Sequence, residues 1–61
     1  MNKVKEKRLS LNLSQEELAK KSGISRQVIS KIENNEEVNV NVDTIKKISK
    51  VLKTKPEKLF F

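Results

Sequence analysis

Cysteine, histidine, tryptophan and tyrosine are all absent from this 61-residue chain, and glycine and proline occur once each. Without a thiol or an imidazole there is no disulfide, no thiolate or imidazole metal site, and no thiol nucleophile or imidazole acid–base. Most enzyme chemistry loses its usual groups, so a protein that is not an enzyme, with no cofactor and no metal, is expected. No apolar run approaches the roughly 20 residues that cross a bilayer. Five of the first ten residues are charged, where a signal peptide would be apolar. A cytoplasmic protein with no membrane partner is the expectation. With one Gly and one Pro there is almost no punctuation for hairpins or flexible linkers. Residues 1–61 therefore read as one all-α domain, small enough to depend on tidy helix packing or self-association.

What the chain does have is charge: 14 Lys and Arg stand against 8 Asp and Glu, a net +6 at pH 7. That balance suits a polyanionic partner without demanding one. Helix starts are legible from their caps. Ser14 with Glu17 forms a capping box, and Leu13 and Leu18 occupy the positions of a hydrophobic staple around it. The pattern predicts a helix from Gln15. Ser25 with Ile24 and Ile29, and Asn41 with Val40 and Ile45, repeat the arrangement. A first helix over residues 3–11, with Val4 and Leu9 or Leu11 inward, and a short last one near Pro56, whose fixed φ suits a first turn, bring the number of helices to five.

The fourth helix carries Val42, Ile45, Ile48, Ser49 and Leu52 as one stripe of a 3.6-residue period. Lys46, Lys47, Lys50 and Lys53 lie opposite as a solvated face. The chain's only aromatics follow Leu59 at its end. Leu59 is expected to close the core, and Leu59, Phe60 and Phe61 form a candidate dimer seam; the alternative is that the terminal Phe side chains fold inward.

Between the second and third helices only Gly23, Ile24 and Ser25 remain, with Gly23 placed to take the left-handed conformation that ends a helix. This is a tight helix-turn-helix over about residues 15–34, in which small Ala19 and Gly23 permit close approach. At about 100° per residue, Arg26, Gln27, Ser30, Lys31 and Asn34 share one polar arc of the third helix, and Val28, Ile29 and Ile32 fall on the other side. The polar arc contains no acid. Arg suits bidentate contact with guanine and Gln with adenine, while Ser and Lys can reach a base or a phosphate. The arc has the chemistry of a reading head for double-stranded DNA.

These residues closely resemble the helix-turn-helix of the lambda-repressor and Cro-like (XRE) family. The likeness spans nearly the whole chain. Its sharpest elements are Ser14, Gln15, Leu18, Ala19, Gly23, Ser25, Ile29, Ile32 and Glu33, with Leu52, Leu59 and Phe60 in the closing pattern. The resemblance implies a compact five-helix domain that binds an operator, commonly as a homodimer on DNA. It matches Arg26, Gln27, Ser30 and Lys31 to base contacts in the major groove. Ser14, Gln15, Ser25, Asn34 and Asn35 match backbone contacts, with Gln15 at the positive end of the second helix. For Asn34 and Asn35, ordinary helix termination explains the residues equally well. Arg8 and Glu33 match an ion pair that fixes the tilt of the third helix without touching bases.

The chain also departs from the family pattern. Residues 36–42 lack the Gly and Pro common there, and Glu36 and Glu37 put acid where relatives have basic phosphate contacts. Lys53 stands where Gly often ends the fourth helix, and Thr54 with Glu57 is expected to cap the fifth. The expected function is sequence-specific transcriptional regulation, as a repressor acting on a near-palindromic operator. No small-molecule effector site is evident. The competing reading is a protein-interaction module, such as an antitoxin or adaptor, suggested by Glu36, Glu37, Phe60 and Phe61.

Overall fold

The computed structural model describes residues 2–36 and 40–60. Among these residues five helices follow one another: α1 (Val4–Ser10), α2 (Gln15–Ser22), α3 (Arg26–Glu33), α4 (Val42–Val51) and α5 (Pro56–Phe60). There is no strand among the described residues. The expected all-α, five-helix class holds, and the caps explain where the helices begin. Ser14 Oγ accepts from the Glu17 N–H at 3.0 Å while the Glu17 carboxylate accepts from the Ser14 N–H at 2.9 Å, closing the capping box. Those hydrogen bonds hold the Glu17 carboxyl below its ordinary pKa, so it stays charged at the positive end of α2. Ser25 Oγ accepts from the Val28 N–H, and Asn41 Oδ1 from the Thr44 N–H.

The helices enclose one core of Val4, Leu18, Ile29, Ile32, Ile48, Leu52 and Leu59, with Leu13, Ala19, Ile24, Val28, Val40, Val51 and Phe60 packed against it. α2 packs against both α3 and α4, α5 rests on α4, and α1 contacts α3. α3 is thus held between α1 and α2.

Three sequence expectations need correction. On α1 the buried side chains are Val4 and Arg8, whereas Leu9 and Leu11 are 53% and 39% exposed. Val4 and Arg8 lie four residues apart and share a helix face; Leu9 and Leu11 point away from it. Val42 is 65% exposed, because the first turn of α4 overhangs the core and the buried stripe begins only at half-buried Ile45. Thr54 does not cap α5: its hydroxyl donates to the Leu52 carbonyl at 2.9 Å.

The helix ends explain how so few glycines suffice. Gly23 has φ 74°, a conformation L side chains adopt at a cost, and its N–H donates to the Ala19 carbonyl at 2.9 Å. Open space surrounds the position of a Cβ there, so Gly23 serves backbone conformation and not the close packing suggested by its size. Asn12, Asn35 and Lys53 take the same left-handed region at φ 58°, 57° and 53°. After each, the next N–H reaches back five residues to a helix carbonyl: Leu13 to Arg8, Glu36 to Lys31 and Thr54 to Ser49. Asparagine tolerates this conformation better than lysine does. Lys53→Gly is therefore expected to stabilise the fold by about 0.5–1 kcal/mol, read as a higher midpoint of thermal unfolding; an unchanged or lower midpoint would show the position to be unstrained.

Ser22 and Ser49 are both buried, with different outcomes. Ser22 Oγ donates to the Leu18 carbonyl at 2.7 Å and accepts from the Ile24 N–H, stitching the turn to α2. Ser49 Oγ has no partner among the described residues. A buried hydroxyl without a hydrogen bond costs about 1–3 kcal/mol. Ser49→Ala is accordingly expected to raise stability by about 1 kcal/mol, or about 4–8 °C in Tm for a chain this small. A lowered Tm would mean that the hydroxyl is satisfied in solution.

Candidate nucleic-acid interface

The local sequence fixes how α3 is presented. Ile29 and Ile32 are buried and Val28 is half-buried, so burial of one face determines the helix's rotation about its own axis. The opposite face carries Arg26, Gln27, Lys31 and Asn34, all exposed, and half-buried Ser30. These five side chains make no hydrogen bond or ion pair among the described residues, so their polar atoms are available to a partner. The link between α2 and α3 is three residues, Gly23 to Ser25, with both ends capped by hydrogen bonds. α3 is therefore held close against α2 by a short, capped link.

Behind this face lies a polar network buried between α1 and α3. Arg8 Nε donates to Glu33 Oε2 at 2.7 Å and a terminal guanidinium nitrogen donates to Glu33 Oε1 at 3.0 Å, a bidentate pair. The other terminal nitrogen donates to the Leu13 carbonyl at 2.7 Å. The two side chains are only 8% and 2% exposed. Hydrogen bonding to Glu33 pushes the Arg8 pKa further up from an already high value, so the guanidinium stays charged. Glu33 is the last residue of α3, where a carboxylate opposes the helix dipole; Arg8 supplies the compensating charge.

Glu33 makes one further contact. Its Oε1 accepts from Gln15 Nε2 at 3.1 Å. Gln15 opens α2, and this bond fixes which way its amide faces. One network thus joins α1, the start of α2 and the end of α3. The family resemblance paired Arg8 with Glu33 and named Gln15 separately, and it gave no sign of the bond between Glu33 and Gln15.

The remaining candidates are distributed around this centre. Ser14 and Ser25 are exposed, but both hydroxyls accept a capping hydrogen bond, which leaves each a single proton to donate outward. Asn34 is the C-cap of α3, and Asn35 follows in the left-handed conformation, so helix termination accounts for both backbones. Leu59 is 1% exposed and belongs to this chain's own core, which removes it from the candidate dimer seam. Phe60 is half-buried against the core. Phe61 and Glu37 lie outside the described residues.

A family model described as helix-turn-helix matches residues 4–59. The chain belongs to the lambda-repressor-like helix-turn-helix family. As a member it is a DNA-binding regulator of the helix-turn-helix type, and α2 and α3 are the motif that gives the family its name. Comparison with curated proteins and with solved structures finds no match. Among the described residues no helix is long and apolar enough to cross a membrane and no cluster of acids could hold a metal ion.

Asn2, which lies outside the helix-turn-helix but bonds to the end of α3, is a residue that sequence reasoning missed. Its Nδ2 donates to the Ile32 carbonyl at 2.6 Å and to Asn35 Oδ1 at 3.1 Å, and its Oδ1 accepts from the Val4 N–H at 3.0 Å. The one available signal was its place just before α1, where Asn caps a helix.

Proposed function

We propose that this protein is a transcriptional repressor that inserts α3 into the major groove of a near-palindromic operator and binds as a homodimer on DNA. The observation that carries this reading is the acid-free exposed face of α3, whose side chains have no partner within the described part of the chain. Arg26, Gln27, Ser30 and Lys31 discriminate base edges. Gln15, Ser14, Ser25, Asn34 and Asn35 contact the backbone and set register. The net +6 charge adds electrostatic capture, with counterion release making the affinity salt-dependent. Arg8 and Glu33 act from behind by holding α3 and Gln15 in place.

Two copies would present their reading helices roughly 34 Å apart on one face of the duplex. Phe60 is the described residue of the proposed seam with side-chain surface left to contribute. Selection of bound sequences from a random duplex pool tests the reading. An enriched, two-fold symmetric site with half-sites about one helical turn apart is expected; enrichment of an asymmetric site would argue against the dimer, and no enrichment against sequence readout.

A second reading, a protein-interaction module of the antitoxin or adaptor kind, draws support from the exposed Leu9 and Leu11. It gains ground if micromolar protein fails to bind any duplex at about 50 mM salt, where phosphate contacts are strongest.

A further inference from the structure

Asn2 has a side chain with two N–H donors and one carbonyl oxygen, and all three are engaged. The donors go to the Ile32 carbonyl and to Asn35 Oδ1, and the oxygen accepts from the Val4 N–H. The orientation is unambiguous, because a flipped amide would set oxygen against the Ile32 carbonyl and nitrogen against the Val4 N–H. The arm that carries Asn2 is also pinned from the other side, where the Lys3 N–H donates to the Leu59 carbonyl at 2.8 Å. Asn2 is thereby bolted to the end of α3.

The bolt has a directional consequence for Asn35. Its backbone is held at φ 57° by bonds from its own N–H to Ile32 and from the Glu36 N–H to Lys31. Because its Oδ1 accepts the Asn2 proton, its Nδ2 must face away from Asn2. That group is exposed and has no acceptor among the described residues. An amide that could present either oxygen or nitrogen is thus locked with its donor outward, the polarity a phosphate needs. Glycine would take the left-handed turn at least as well, but it offers no such donor.

We propose that Asn2 is a positioning residue for DNA binding, which fixes the Asn35 amide so that Asn35 Nδ2 donates to a phosphate at the C-terminal edge of α3. This rests on the operator-binding reading above and names a residue outside the helix-turn-helix that serves it. Asn2 itself touches no DNA; it acts through Asn35.

A double-mutant cycle on the full chain tests this, using Asn2→Ala, Asn35→Gly and the pair, with affinity measured on the duplex selected by the wild type. Asn35→Gly keeps the turn and should lower affinity about tenfold, the loss of one hydrogen bond to a charged group. Asn2→Ala should cost a similar factor in the wild type and no further factor in the Asn35→Gly background. Equal losses in both backgrounds would overturn the proposal and assign Asn2 to fold stability through Ile32. Wild-type affinity in Asn35→Gly would overturn it too. Without DNA, 15N relaxation of the Asn35 side-chain amide should report an ordered group that becomes mobile in Asn2→Ala; a mobile amide in the wild type would contradict the bolt. If the wild type binds no duplex at all, the operator reading fails and this role fails with it, an outcome distinct from a failed cycle in a chain that binds.

Discussion

Glu33→Ala is expected to cost roughly 3–5 kcal/mol of folding stability, because it strands the Arg8 guanidinium in a buried site with one carbonyl for company. A domain of 61 residues has only about 3–9 kcal/mol in total. The variant should therefore be largely unfolded near physiological temperature, and its Tm measured by circular dichroism decides the matter. The size of the loss does not mean that the pair stabilises the fold by the same amount. Replacing both partners, as in Arg8→Met with Glu33→Leu, removes the desolvation cost along with the attraction and should leave stability near the wild-type value.

That double variant separates architecture from recognition. With Glu33 gone, Gln15 loses the bond that orients its amide. A folded Arg8→Met, Glu33→Leu protein should bind every duplex more weakly, and by a similar factor across operator variants, since a backbone contact carries no sequence information. A Tm for Glu33→Ala within a degree or two of wild type would show the pair to be solvated and its positioning role absent.

The second large effect concerns the reading face itself. Arg26→Ala and Gln27→Ala should each cost about 1–3 kcal/mol on the best operator, and each loss should concentrate at one or two base pairs. Both side chains are exposed and make no hydrogen bond or ion pair within the described chain, so neither substitution should lower Tm. The signature is thus loss of discrimination in a stable protein, measured as the ratio of operator to scrambled-duplex affinity at fixed salt. If all operator variants weaken equally, the substituted residue contacts the backbone. If stability falls as well, it contributes to the fold in a way its exposure does not suggest.

The helix-turn-helix was legible in the sequence because its determinants are local. Ser14 with Glu17, Ser25 and Asn41 cap by reaching three residues ahead, and Gly23 ends α2 through its own φ. The two faces of α3 followed from periodicity alone, since Ile29 and Ile32 against Arg26 and Gln27 leave one way to bury the helix. What periodicity left hidden depends on partners far along the chain, and the Arg8–Glu33 pair was expected from the family resemblance alone. Arg8 takes an inward position ahead of Leu9 because Glu33, 25 residues away, neutralises it. Periodicity ranks leucine above arginine for burial, and only the partner reverses that order.

The same limit applies elsewhere. Asn12, Asn35 and Lys53 take left-handed helix ends that composition assigned to glycine, so a chain with one Gly still closes four helices this way. Asn2 and Gln15 look like ordinary polar residues until residues 33 and 18 positions away respectively supply their acceptors. Val42 and Leu59 show the converse: a stripe or a terminal apolar run predicts burial or a seam, but the extent of the core decides which of them is covered.

The central claim is that the exposed face of α3 enters the major groove, and methylation interference on the selected operator tests it most directly. Guanine N7 lies in the major groove and adenine N3 in the minor groove, so one partially methylated duplex reports on both. Interference at guanine N7 within each half-site, relieved at one position by Arg26→Ala, is the expected result. Interference confined to adenine N3, or none at any guanine in the bound site, would contradict a reading helix seated in the major groove.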